Sequence, residues 1–228
     1  MKNFLWITFS IIFTFQLMAQ DKTKLIYFAD PMCSWCYGFS PELTKIVEQL
    51  GDSIEFEMVM GGLRPYNTET MSDLGDFLKE HWLQVNERSS QPFSYDILKD
   101  TAIVYDTEPA CRAVALMRQL KPDQAFNFFK AIQIAFYKNN KNTNLTSTYL
   151  ELLDGLGVDK EDFSIAFESE EWKTKVKEDF EYSSSVGVSG FPTLVFQKGE
   201  NLFLLSNGYT EAEKIMEKIS KITLDNNN

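Results

Sequence analysis

The stretch DPMCSWCYGFSPEL, Asp30 to Leu43, sets Cys33 and Cys36 two residues apart where an apolar run stops and a helical pattern begins. Upstream, KLIYFA (Lys24 to Ala29) ends at the turn signal Asp30-Pro31, as a buried strand would. Downstream, Phe39, Leu43, Ile46, Val47 and Leu50 recur at helical spacing, and Gly51 supplies a C-terminal stop. Pro41 falls inside that pattern and predicts a kink in the helix rather than its start. In SIEFEMVMGG, Ile54, Phe56, Met58 and Met60 alternate with Glu55, Glu57 and Val59, which predicts a second strand closed by Gly61 and Gly62. Strand, helix and strand in so short a span form a βαβ unit, with parallel strands and a right-handed crossover. The cysteines then fall at the carboxyl end of the first strand and the N-terminus of the helix, where ligands and chemistry collect in open α/β sheets.

Three chemistries compete for the pair. A structural zinc site needs about four ligands, and only Cys111 and the lone histidine, His81, remain to complete one. A structural disulfide across two intervening residues closes a very small loop and so constrains the unfolded chain little. Redox exchange needs a thiolate, and a helix N-terminus favours one through its unpaired N–H groups and dipole. In that geometry Cys33 is the exposed nucleophile, and Cys36, one turn inward, resolves the mixed disulfide.

Beyond residue 67 strand-like alternation nearly disappears. Helical patterns run from Met71 to Leu83, Pro109 to Leu120, Pro122 to Tyr137, Thr146 to Leu156, Lys160 to Glu168 and Glu170 to Val186. FPTLVFQK and LFLLSNG, joined through Gly199-Glu200-Asn201, then read as an antiparallel hairpin. An amphipathic helix from Thr210 to about Ile222 closes the pattern, with Ile215, Met216 and Ile219 on one face. The chain thus divides into residues 21–67 (βαβ), a helical insertion over 68–180, and 181–228 (ββα).

Residues 1–20, MKNFLWITFSIIFTFQLMAQ, carry one lysine and an uncharged, mostly apolar run before a small residue at Ala19. That is the layout of a signal peptide, and its strongly apolar part is shorter than the roughly 18 to 20 residues of a spanning helix. The product is expected outside the cytosol, in a bacterial periplasm or the extracellular space, with no stable membrane insertion. Three cysteines in 228 residues do not make a disulfide scaffold, so apolar burial must hold the core; 44% hydrophobic residues, among them 19 Phe, can supply it. A formal charge of -11 disfavours nucleic acid as a partner.

The order βαβ with CxxC at the first helix, a helical insertion, then ββα preceded by Gly190-Phe191-Pro192, resembles the thioredoxin superfamily. Within it, the long insertion resembles the DsbA family, more closely the FrnE-like branch described as protein-disulfide isomerases. DPMCSWCYG, GGLRP, NTETM and TEPACRAV look like that branch, over about Lys24 to Ile222. The resemblance implies an α/β, thioredoxin-like fold with a large all-helical insertion, and a thiol-disulfide oxidoreductase or isomerase acting on cysteine-containing proteins. Its redox centre would be the Cys33-Cys36 disulfide, with no cofactor and no metal, recycled by a separate redox partner. It further implies a cis Phe191-Pro192 peptide beside the cysteines. Gly190 and the Phe191 backbone would then meet an extended substrate, and Pro192, lacking an N–H, would keep a metal off the thiolates. Ser34 and Trp35 would support the site. The family places a buried carboxylate six residues before the first cysteine; here that residue is Tyr27, and the nearest acid is Asp30.

Other residues have bland readings. His81 beside Trp82 is expected as a partly buried helix histidine, and Cys111 on an amphipathic helix as core packing. Arg64 serves equally as an anion contact or a surface ion pair. Trp35, Tyr37, Phe39 and Phe191 could form an apolar surface for unfolded chains, with core packing claiming Phe39. Two other functions stay open: a glutathione-dependent isomerase or transferase of the kappa or chromene-carboxylate type, and a non-catalytic secreted binding module or chaperone with a structural CxxC.

Overall fold

A computed structural model describes residues 23–225. The expected signal peptide and the last three residues lie outside it. Four strands form one mixed sheet in the order β2-β1-β3-β4. β1 (Thr23–Ala29) and β2 (Glu55–Met60) are parallel, with Leu25 opposite Phe56, as the βαβ reading requires. β3 (Thr193–Lys198) runs antiparallel to β1 and forms the expected hairpin with β4 (Asn201–Asn207). β1 is central and buried on both faces, which explains its unbroken apolar run. Leu25, Tyr27 and Ala29 enter the main core, while Ile26 and Phe28 pack with Val59 on the other side.

The outer edge of β2 is closed by side chains. The Arg118 guanidinium donates to the Met58 carbonyl and, at 2.9 Å through each terminal nitrogen, to the Asp179 carboxylate. Asp179 in turn accepts the Met60 N–H at 3.0 Å. An edge that would otherwise offer free pairing groups is thereby occupied.

α1 (Ser34–Leu50) stays a single helix through Pro41. Proline has no N–H for the carbonyl four residues back, here that of Tyr37. Gln91 Nε2 supplies the missing donor at 3.2 Å. Gly38 lets the next helix come close, since a Cβ there would lie 2.6 Å from Val85.

That helix, α2 (Gly75–Ser89), starts and ends later than the predicted Met71 to Leu83. Thr70 and Asp73 cause the late start: the Asp73 carboxylate accepts from the Thr70 N–H at 2.8 Å and its hydroxyl at 2.7 Å, which makes Met71 to Leu74 a turn. α3 (Glu108–Leu120), α4 (Ala125–Tyr137), α6 (Lys160–Glu168) and α7 (Glu170–Ser185) match their periodicities within a few residues. α5 (Thr146–Leu152) ends before the predicted Leu156, ahead of turns that use Gly155 and Gly157 at positive φ. α8 (Ala212–Asp225) begins two residues later than predicted, where the Glu42 carboxylate accepts the Ala212 N–H at 2.8 Å.

Helices and sheet share one apolar cluster. Leu25, Tyr27, Leu194 and Phe196 of the sheet belong to it together with Trp82, Leu116, Phe128 and Phe136 of the helical segment.

Candidate active site

β1 delivers the chain into the turn Asp30-Pro31-Met32-Cys33, closed by the Cys33 N–H on the Asp30 carbonyl at 3.1 Å. Cys33 is the N-cap of α1, in extended backbone (φ -83°, ψ 117°), and its carbonyl accepts the Tyr37 N–H at 3.0 Å. Both cysteines are free thiols. Cys33 is 4% exposed and Cys36 is sealed at 0%. The order of accessibility follows the sequence reading, but Cys33 is far more enclosed than an exposed nucleophile was expected to be.

Their environments differ in chemistry. Burial pushes the Cys36 thiol well above its ordinary range, and negative charge on Cys33 pushes the same way. Two groups oppose this, the Asp30 backbone and the Tyr27 hydroxyl. Tyr27 is wholly buried, and its hydroxyl finds no well-formed hydrogen bond. Cys36 therefore holds its proton while the pair is reduced.

Phe191-Pro192 is cis, and the Cys33 sulfur lies 3.5 Å from the Phe191 carbonyl oxygen. Residues 158 apart in sequence thus meet at the thiol. Pro192 is buried, and its carbonyl accepts the Gly208 N–H at 2.7 Å. The Gly190 carbonyl accepts the Thr193 hydroxyl at 2.7 Å, which fixes the loop ahead of β3. Ser34 and Trp35 sit partly exposed in the first turn of α1. Tyr37 and Phe39 are buried, so of the four aromatics only Trp35 and Phe191 remain partly exposed beside the pair.

Asp30 is the residue the sequence reading undervalued. It is fully buried, with Oδ1 accepting the Met32 N–H at 2.7 Å and Oδ2 accepting the Leu63 N–H at 2.6 Å and the Cys111 thiol at 3.3 Å. Desolvation raises its carboxyl above the ordinary range, against the pull of these donors and the Thr107 hydroxyl. A lone acid between an apolar run and Pro31-Met32 was the available signal. Cys111 packs in the core as expected, but also as a donor to Asp30.

The helical segment grips the residue before Cys33. The Tyr105 and Tyr137 hydroxyls both donate to the Met32 carbonyl, each at 2.5 Å, and the Thr143 hydroxyl contacts the Met32 sulfur at 3.2 Å. Tyr137 also stacks on Tyr37 of α1, with ring centroids 4.8 Å apart and planes within 8°. His81 and Arg64 do not join this group. His81 is partly exposed on α2, with Nδ1 2.9 Å from the Phe77 carbonyl, and Arg64 pairs with Glu69 at 2.9 Å.

A dithiol at a helix N-terminus, facing a cis-proline loop and covered by inserted helices, defines a DsbA-like thiol-disulfide oxidoreductase. A family model described as thioredoxin matches residues 27–217, and the chain belongs to that family. Among solved structures it is similar to a candidate protein disulfide isomerase from Nitrosomonas europaea, at 32% identity and TM-score 0.83, covering 90% of this chain and 99% of that one. It is also similar to the cytosolic disulfide reductase DsbM of Pseudomonas aeruginosa, at 26% identity and TM-score 0.74, covering 88% of this chain and 99% of that one; a structure of DsbM with GSH matches at 25% and 0.70. A curated relative, the ClpXP adapter protein SpxH of Halalkalibacterium halodurans, is 22% identical over 191 residues, 79% of this chain. The matched stretch spans 61% of that relative's length.

Proposed function

We propose that the protein exchanges disulfides with the cysteines of protein substrates through Cys33 and Cys36, and that it works outside the cytosol. The observation that carries this reading is the inequality of the two thiols: Cys33 caps α1 opposite the Phe191 carbonyl and keeps a small exposed area, and Cys36 is sealed behind it. A substrate thiolate attacks the Cys33 sulfur of the oxidised pair. The Cys33–Cys36 bond breaks, and Cys36 leaves with the electron pair and takes up a proton. A second substrate thiolate attacks the substrate sulfur of the mixed disulfide, Cys33 departs as the thiolate, and the substrate keeps the new disulfide. Isomerisation starts from the reduced form by the same attack.

In this reading an extended substrate segment lies along Gly190 and the Phe191 backbone. Ser34 and Trp35 border it, and Pro192 offers no N–H beside the thiols. No cofactor beyond the cysteine pair is needed, and a separate redox partner restores the pair. Export rests on the sequence of residues 1–20; among the described residues no helix is long and apolar enough to cross a membrane.

Cys33→Ala should reduce both insulin reduction and refolding of a scrambled disulfide protein to background. Cys36→Ser should accumulate the mixed disulfide on Cys33. Undiminished activity in Cys33→Ala would overturn the proposal. A second reading takes glutathione as the electron donor, favoured by the likeness to a reductase solved with GSH. Equilibration of the purified protein in a glutathione series separates the two: a strongly reducing pair supports the reductase, an oxidising pair the exported oxidase or isomerase.

A further inference from the structure

We propose that Tyr105 and Tyr137 are positioning residues for Cys33, acting through the Met32 carbonyl that both of them bind. The inference rests on the exchange reading above and assigns a task to the inserted helical segment.

One carbonyl oxygen has two lone pairs, and here both are taken by phenols from separate parts of the chain. Tyr105 precedes α3 and Tyr137 ends α4, 73 and 105 residues from Met32, and each hydroxyl stands 2.5 Å from the oxygen. Both rings are buried, at 2% and 0% exposure, and the two hydroxyls also interact with each other. The bound carbonyl belongs to the peptide whose N–H is that of Cys33. Its orientation fixes the plane from which the Cys33 side chain leaves the backbone, and so where the sulfur stands relative to the Phe191 carbonyl. The Met32 side chain is held as well, through its sulfur and the Thr143 hydroxyl.

The phenols also orient their dipoles usefully. With the oxygen of Met32 as acceptor, the positive O–H ends point into the turn that carries Cys33. Burial disfavours ionisation of both phenols, and negative charge on neighbouring groups, Asp30 and Cys33 among them, adds to it, which keeps the two protons in place as donors. When the mixed disulfide on Cys33 is resolved, Cys33 departs with the electron pair, and a turn fixed and polarised in this way favours the reduced pair. Loss of the clamp should therefore favour the disulfide.

The test uses the full chain and three variants: Tyr105→Phe, Tyr137→Phe and the two together. Tyr137→Phe keeps the stack on Tyr37, and each single variant leaves one donor on the carbonyl. A matched control is Phe163→Leu, a fully buried side chain of the inserted segment that packs against Phe128 and Phe167. Each protein is equilibrated with glutathione, where two GSH deliver two electrons and two protons to the disulfide and leave as GSSG. The double variant should shift this equilibrium about tenfold toward the protein disulfide, ~30 mV for a two-electron couple, and each single variant about threefold. Iodoacetamide alkylation of Cys33 at fixed pH, read by mass spectrometry of its peptide in a Cys36→Ser background, should slow in the same order. Phe163→Leu should lose stability in urea and leave both readouts unchanged.

If the singles lower only the urea midpoint, with equilibrium and alkylation within twofold of the parent, the phenols are ordinary packing and the proposal falls. If the parent exchanges no disulfide with protein substrates while the variants still shift the glutathione equilibrium, the clamp stands and the exchange reading falls.

Discussion

Gly61 shows how tightly the site is set at the level of single atoms. A Cβ at this position would lie 1.9 Å from the tip of the Phe191 ring, so the ring rests directly on the backbone at the end of β2. Gly61→Ala must push Phe191 aside, and the Phe191 carbonyl is the group facing Cys33. Overpacking of this kind costs about 1 to 3 kcal/mol. The substitution should lower the urea midpoint accordingly and slow disulfide exchange, and most of the stability loss should vanish in a Phe191→Ala background. An equal loss in both backgrounds would show that the ring contact is not the cause. The same scale separates what could be read in the sequence from what could not. Cys33, Cys36 and Phe191-Pro192 announced themselves because their residue types are rare and chemically specific. Apart from the Met32 N–H, the partners of Asp30 come from Leu63, Thr107 and Cys111, and those of Met32 from Tyr105, Tyr137 and Thr143; nothing local to either residue encodes these distant partners.

Whole elements were more legible where one face is apolar and less so where side chains decide an end. α6 fell where its period placed it because Asp159 caps it, accepting the N–H groups of Glu161 and Asp162 at 2.9 Å each. α2 did not, because the Thr70 and Asp73 turn competes with a helix that periodicity alone would start earlier. The Arg88 to Glu211 ion pair ties the end of α2 to the approach to α8, and Arg88 also lies 4.5 Å from the centre of the Tyr209 ring. Hydrogen bonds from Arg88, and then from Lys214, hold the Glu211 carboxyl down to about 2. Because the folded value is depressed, the contact's contribution is complete above the ordinary 4.5 and is lost as pH falls toward about 2. Arg88→Ala should raise the Glu211 midpoint part of the way back, with Lys214 still in place, as read from the side-chain carboxyl carbon by NMR titration. An unmoved midpoint would assign the depression to Lys214 and the Glu211 backbone N–H.

At the scale of the molecule, the inserted helices and the sheet bury their apolar faces in one another, and neither segment keeps its core to itself. Trp82 is fully buried among Phe93, Phe136 and Tyr137, and Tyr137 in turn stacks on Tyr37 of α1. Unfolding should therefore be a single cooperative event: far-UV circular dichroism and tryptophan fluorescence, reporting through Trp35, Trp82 and Trp172, should give superimposable urea curves. Two separated midpoints would mean that the helical segment unfolds on its own. The alternation of strand and helix patterns made the βαβ and ββα parts and the insertion between them visible in the sequence. Their shared core was not, because it depends on which helix faces meet.

Arg118 and Asp179 take the Met58 carbonyl and the Met60 N–H at the outer border of the sheet. A strand arriving from another molecule would have to break both of those bonds to extend the ladder past β2, so the ion pair that shapes this border also guards it against association by strand pairing.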